Sequence, residues 1–100
     1  MNILIETERA WTAGIIDGEG CIWLDRNRPM LEVWNTDIRM LEKLKGLFDG
    51  MIYEVIRKNR PRTKICWRWR ITGKKVIYCL EMILPYLTIK GEKATEILTG

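Results

Sequence analysis

Trp11-Thr12-Ala13-Gly14-Ile15-Ile16-Asp17-Gly18-Glu19-Gly20 is the stretch that decides the fold. It sets small residues, two large aliphatics and two carboxylates close together. On a helix, Gly14 and Gly18 lie four apart on one face, and Ala13 and Asp17 form the neighbouring row. A stripe bare of side chains lets another backbone approach closely. Each helical glycine costs roughly 1 kcal/mol relative to alanine, so a contact must compensate. Glu19 stands where that stripe ends and Gly20 breaks the helix. If the partner is an identical helix, two Glu19 carboxylates meet near a twofold axis. Hard oxygen donors placed so close favour a divalent cation between them.

The rest of the chain narrows the function classes. Its 100 residues make one small domain, residues 1–100, and 47% apolar content is enough for a core. No apolar run approaches the roughly 20 residues of a membrane span. The N-terminal segment, with Glu6 and Glu8, does not read as a signal peptide. Cys21, Cys66 and Cys79 are scattered without a CxxC spacing, and there is no histidine. Structural zinc and histidine-based triads are therefore not expected. Reduced cysteines fit an intracellular protein, cytoplasmic or organellar and not secreted.

Charge is unevenly placed. Residues 51–75 hold Arg57, Lys58, Arg60, Arg62, Lys64, Arg68, Arg70, Lys74 and Lys75 against Glu54 alone, a net +8 within a chain of +4. That is the footprint of a protein that meets a polyanion. The segment alternates as a strand, which argues against a membrane-surface helix.

The element order follows from pattern and breakers. A helix is predicted from about Thr7, a candidate N-cap, to Glu19. Strands at Cys21–Asp25 and Met30–Trp34 flank a turn at Arg26-Asn27-Arg28-Pro29. Asn35-Thr36-Asp37 signals an N-cap for a helix carrying Ile38, Leu41, Leu44 and Leu47 or Phe48 on one side, ended by Asp49-Gly50. Strands at Met51–Arg57 and Ile65–Ile71 flank a basic loop, Lys58–Lys64. A helix through Val76, Ile77, Leu80, Ile83 and Leu84 stops at Pro85, and a short helix spans about Gly91–Leu98. The order αββαββα predicts an α+β fold, a four-stranded antiparallel sheet with helices on one face and the other face open. A basic two-stranded ribbon fits the DNA major groove.

The chain resembles the LAGLIDADG homing endonucleases. Their nine-letter motif falls on Thr12-Ala13-Gly14-Ile15-Ile16-Asp17-Gly18-Glu19-Gly20, departing at Thr12, Gly18 and Glu19. The αββαββα order is theirs too. So are the strand-to-cap stretch Val33-Trp34-Asn35-Thr36-Asp37 and the Pro-aromatic-Leu-x-x-Lys stretch Pro85-Tyr86-Leu87-Thr88-Ile89-Lys90. The resemblance implies the single-motif type, a homodimer joined through the first helix with Ala13, Gly14, Asp17 and Gly18 at its axis. It implies site-specific, metal-dependent hydrolysis of a long, roughly palindromic DNA duplex, leaving 3′ overhangs, in the service of intron or intein mobility. Glu19 from each subunit and the Gly18 carbonyl would hold Mg²⁺, with Mn²⁺ or Ca²⁺ able to substitute for binding. Lys90 and Asn35 would complete the catalytic set with Glu19.

Recognition is expected from alternate strand residues. Trp67 and Trp69 should face the helices, because the reverse would bury Arg68 and Arg70. Those arginines, with Tyr53, Val55 and Arg57, then face DNA, as do Trp23, Asp25 and Glu32. Asp25 and Glu32 can accept from cytosine N4. Arg26, Arg28, Lys58, Arg60, Arg62 and Lys64, placed in turns, are expected to grip phosphates. The rival readings are an RNA maturase or DNA-binding regulator on this scaffold without cleavage, and an RNA-binding module that stacks bases on its tryptophans.

Overall fold

The computed structural model describes residues 4–55 and 65–100. The expected phosphate contacts Lys58, Arg60, Arg62 and Lys64, and Arg57, lie outside them. Helix α1 covers Glu6–Glu19, so it starts one residue before the expected Thr7. The entry is held by Glu8, whose Oε1 accepts the Ile5 N–H at 3.0 Å, the same reach-back a capping box uses. Strands β1 (Gly20–Asp25) and β2 (Arg28–Asn35) follow, then α2 (Ile38–Phe48), β3 (Met51–Val55), β4 (Cys66–Thr72), α3 (Lys74–Ile83), a 3₁₀ turn (Leu84–Tyr86) and α4 (Gly91–Thr99).

The four strands form one antiparallel sheet in the order β1-β2-β4-β3. The β1–β2 turn is tighter than the sequence suggests. Only Arg26 and Asn27 lie outside the strands, both with positive φ (52° and 67°), the backbone that a two-residue hairpin of right-handed twist demands. Arg28 and Pro29 belong to β2.

Alternation sorts the sheet into two faces. Leu31, Val33, Trp69 and Ile71 point toward the helices and join Ile16, Leu41, Leu44, Phe48, Val76, Leu80, Ile83 and Ala94 in one core. Each fully buried aliphatic side chain contributes about 1.5–3 kcal/mol of transfer free energy. Trp69 is the largest fully buried side chain, as its alternation with Arg68 and Arg70 predicts. Its indole N–H donates to the Asp49 carbonyl at 2.8 Å, pinning the end of α2 to the sheet. The chain reverses there through Asp49 (φ 63°) and Gly50 (φ 96°). A Cβ on Gly50 would lie 2.6 Å from the Arg70 carbonyl oxygen, so only glycine fits.

Ala13 is fully buried in this core, at 0% exposure. It therefore packs within its own chain and is not a surface for a second helix, a correction to its expected place at the dimer axis. Gly14 and Gly18 on the adjoining stripe are exposed, and a Cβ added to either would meet nothing within 4 Å. Cys21, Cys66 and Cys79 are unpaired. No helix among the described residues is long and apolar enough to cross a membrane.

Candidate nucleic-acid interface and helix-end site

The face of the sheet opposite the helices is built by strand register. Cys21, Glu32, Arg70 and Met51 stand in one row across β1, β2, β4 and β3, and Trp34, Arg68 and Tyr53 in the next. Trp23 and Asp25 share this face with them, opposite Met30 and Arg28 of β2. The sequence pattern places Trp23, Asp25, Glu32, Tyr53, Arg68 and Arg70 on one surface, and the described strands bring them together there. Trp34 is a member that reading misses. Trp34 is exposed among them, and the inward Leu31 and Val33 carry the signal, since alternation turns Trp34 outward with Glu32.

Glu32 on this face and Arg28 at its edge do not stand as expected. Glu32 is only 6% exposed. Its Oε2 accepts from Arg70, which also pairs with it through a second guanidinium nitrogen, and its Oε1 accepts the Trp34 indole N–H at 3.1 Å. Arg68 Nε lies 3.6 Å from the same carboxylate. Glu32 is thus engaged by its own chain through both carboxylate oxygens. Arg28 is likewise in a strand and not a turn, and its guanidinium donates to Thr72 Oγ1 at 2.9 Å. Arg26 remains an exposed turn residue. The arginines also lean on aromatic rings: Arg68 lies 4.9 Å from the Tyr53 centroid and Arg70 6.0 Å from that of Trp23.

The second site lies at the C-terminal end of α1. Gly20 permits the helix to pass directly into β1. Its N–H closes on the Ile16 carbonyl, and a Cβ there would fall 2.8 Å from that oxygen. Glu19, exposed at this end, accepts from Asn35 Nδ2 at 2.6 Å. Asn35 Oδ1 in turn accepts the Asp37 N–H at 2.7 Å. The cap of α2 is Asp37 itself, whose carboxylate takes the Arg39 N–H and guanidinium. Arg39 first and foremost holds the Asp37 carboxyl down to about 2. Asn35 is therefore released from capping and bridges Glu19 to the α2 entry.

Asp17 turns the other way. Its carboxylate accepts the backbone N–H groups of Thr88, Ile89 and Lys90 at 2.7, 3.0 and 2.9 Å. Its carboxylate is thus engaged within its own chain. Lys90 returns its ammonium to the Asp17 carbonyl at 2.7 Å, satisfying a carbonyl that the last helical turn leaves open and neutralising the negative pole of the helix. Glu19, Asn35 and Lys90 thus converge on one helix end, with Gly18 between Asp17 and Glu19. Among the described residues, no three of His, Cys, Asp and Glu group as a metal site.

No protein-family model matches the chain, and no curated protein matches it in sequence. Solved structures do. The homing endonuclease I-CvuI, in complex with its target in the presence of calcium, superposes with a TM-score of 0.72 at 23% identity, covering 93% of this chain and 64% of that one. I-CvuI with the I-CreI target in the presence of magnesium, its DNA not cleaved, gives 0.72 and 23% over 94% and 65%. An archaeal intron-encoded homing endonuclease, I-Vdi141I, complexed with DNA, gives 0.67 and 17% over 92% and 65%. The present chain spans just under two thirds of the length of these proteins. Superposition over more than nine tenths of the chain shows the fold: the chain has the LAGLIDADG homing endonuclease fold.

Proposed function

We propose that the chain is a homing endonuclease subunit that dimerises through α1 and cleaves both strands of a long, roughly palindromic DNA site in a Mg²⁺-dependent reaction, leaving 3′ overhangs. The observation that carries this is the end of α1, where Asn35 holds the Glu19 carboxylate at 2.6 Å and Lys90 sits on the adjoining Asp17 carbonyl. Asp17 is committed to the 88–90 backbone, so at this end of α1, among the described residues, Glu19 is the outward carboxylate. That donor set fits an ion shared between two copies. Glu19 and the Gly18 carbonyl are the hard oxygen ligands it would use, and magnesium prefers few such ligands with water filling the rest. Bound there, Mg²⁺ would polarise a phosphoryl oxygen and acidify a water.

The chain's own groups do the rest. Asn35 orients Glu19 and prevents its carboxylate from rotating away. Lys90 holds positive charge beside the scissile region, where negative charge builds on the phosphorus oxygens. The open sheet face supplies recognition, with Arg68, Arg70 and Tyr53 in the groove and Arg26 and the basic 57–64 stretch on phosphates. Neighbouring folds in complex with DNA support this reading.

The test is selection of cleaved ends from a random duplex library incubated with the protein and Mg²⁺. A twofold-symmetric cleaved site is expected. Retention of a consensus without cleavage would favour a maturase or regulator on the same scaffold.

A further inference from the structure

The buried carboxylate on the open sheet face does not serve as a base reader. We infer that Glu32 is a positioning residue that sets sequence discrimination by fixing Arg68 and Arg70, an inference that rests on the DNA-binding reading above. Three observations carry it. Glu32 is nearly inaccessible, at 6% exposure, although it lies on the face open to solvent. Both its oxygens are taken, Oε1 by the Trp34 indole and Oε2 by the Arg70 guanidinium. Arg68, by contrast, is held incompletely: its Nε lies 3.6 Å from Oε2, is buried, and makes no hydrogen bond. The buried Nε edge of Arg68 is thus turned to Glu32 by charge and not by a hydrogen bond, which leaves only its terminal N–H groups to meet a base.

Register explains the arrangement. Glu32 pairs across the ladder with Arg70, and Arg68 with Trp34, so one carboxylate reaches both arginines of β4. Each guanidinium also lies over a ring, Arg68 at 4.9 Å from the Tyr53 centroid and Arg70 at 6.0 Å from that of Trp23. An arginine held by both a carboxylate and a ring presents its remaining N–H groups with little freedom to swing. That is the condition for a bidentate contact to guanine, as opposed to a swinging contact to phosphate. One negative charge at the centre of a basic face also lowers indiscriminate attraction to the DNA backbone.

The test compares wild type, Glu32→Gln, Arg68→Gln/Arg70→Gln and the triple variant. Each is used to select bound sequences from a random duplex library in Ca²⁺, with binding to a fixed random-sequence duplex followed against salt. Glutamine keeps an acceptor for Trp34, and thermal melting reports whether each variant folds. Glu32→Gln is expected to flatten the consensus at a few positions by about tenfold in base preference, while random-sequence duplex binds more tightly with a steeper salt dependence. In the double-arginine background, Glu32→Gln should change no base preference. If Glu32→Gln leaves the consensus intact, or still alters it without the arginines, Glu32 either does nothing or reads a base directly, and the inference is overturned. If Glu32→Gln fails to fold, the same comparison is made with Glu32→Asp, whose shorter reach must relax the same positions. A wild type that yields no consensus at all overturns the DNA reading, and this inference with it.

Discussion

Asp17 and Lys90 clamp each other. The Asp17 carboxylate takes the backbone N–H groups of residues 88–90, and the Lys90 ammonium takes the Asp17 carbonyl. The contact joins the end of α1 to the start of α4 across 73 residues of sequence. It places Lys90 by a rigid device and not by a free side chain on the surface.

Breaking that clamp should be costly. Asp17→Asn keeps one acceptor oxygen but loses the charge that three N–H donors converge on, and charged hydrogen bonds are worth roughly 1.5–3 kcal/mol each. We expect a loss of about 2 kcal/mol, seen as a lower urea midpoint with unchanged slope. Amide exchange at Thr88–Lys90 should accelerate before exchange elsewhere. If those amides stay protected, the carboxylate does not hold the turn.

The same clamp has a pH signature. Partial burial pushes the Asp17 carboxyl up, but hydrogen bonds from Thr88, Lys90 and Ile89 and the Lys90 charge outweigh it and hold it below its ordinary 3.8. A carboxyl depressed on folding contributes stability that is complete above its ordinary value and is lost as pH falls through the folded one. Wild type should therefore lose stability steeply below about pH 4, and Asp17→Asn less steeply there. Identical acid limbs in the two proteins would contradict the assignment.

Gly50→Ala tests the α2–β3 corner. The substitution strains a backbone at φ 96° and drives a Cβ to 2.6 Å from the Arg70 carbonyl. We expect a loss of about 2–4 kcal/mol by denaturant titration, larger than the roughly 1 kcal/mol that alanine recovers at an ordinary glycine site.

Glu19→Gln should abolish Mg²⁺-dependent cleavage and leave DNA affinity within about threefold, since it removes one charge far from most phosphate contacts. Asn35→Ala should lower cleavage about 10–100-fold, the range for a group that orients a metal ligand. Nicking of a plasmid bearing the selected site measures both. Wild-type turnover by Glu19→Gln would remove Glu19 from the chemistry.

Much of this is legible in the sequence because solvation decides it. Trp67-Arg68-Trp69-Arg70 can bury only one of its two sets, so β4 sorts its own faces. What escapes is what one strand cannot know of another. Glu32 meets Arg70 because β2 and β4 pair in one register, and a one-residue slip would separate them. Asp17 meets residues 88–90 through tertiary closure, invisible to a helical wheel. Ala13 is misplaced by the motif although a local cue exists: it lies three residues before Ile16, and that spacing puts both on the core side of α1.

Ala13 and Gly14 therefore allow core and assembly to be separated by adjacent substitutions. Ala13 has no exposed surface, so Ala13→Leu overpacks the core and should cost on the order of 1–3 kcal/mol at any protein concentration. Gly14 is exposed, and a Cβ at that position meets nothing within 4 Å. Gly14→Leu should leave the single chain folded, and even favour α1 by about 0.5–1 kcal/mol in helix propensity. Its leucine would hold a second α1 away, because close approach along Gly14 and Gly18 requires a bare stripe. Sedimentation should then show a dimer for wild type and a folded monomer for Gly14→Leu, with DNA cleavage lost alongside. A Gly14→Leu protein that still sediments as a dimer would move the assembly surface away from this face of α1.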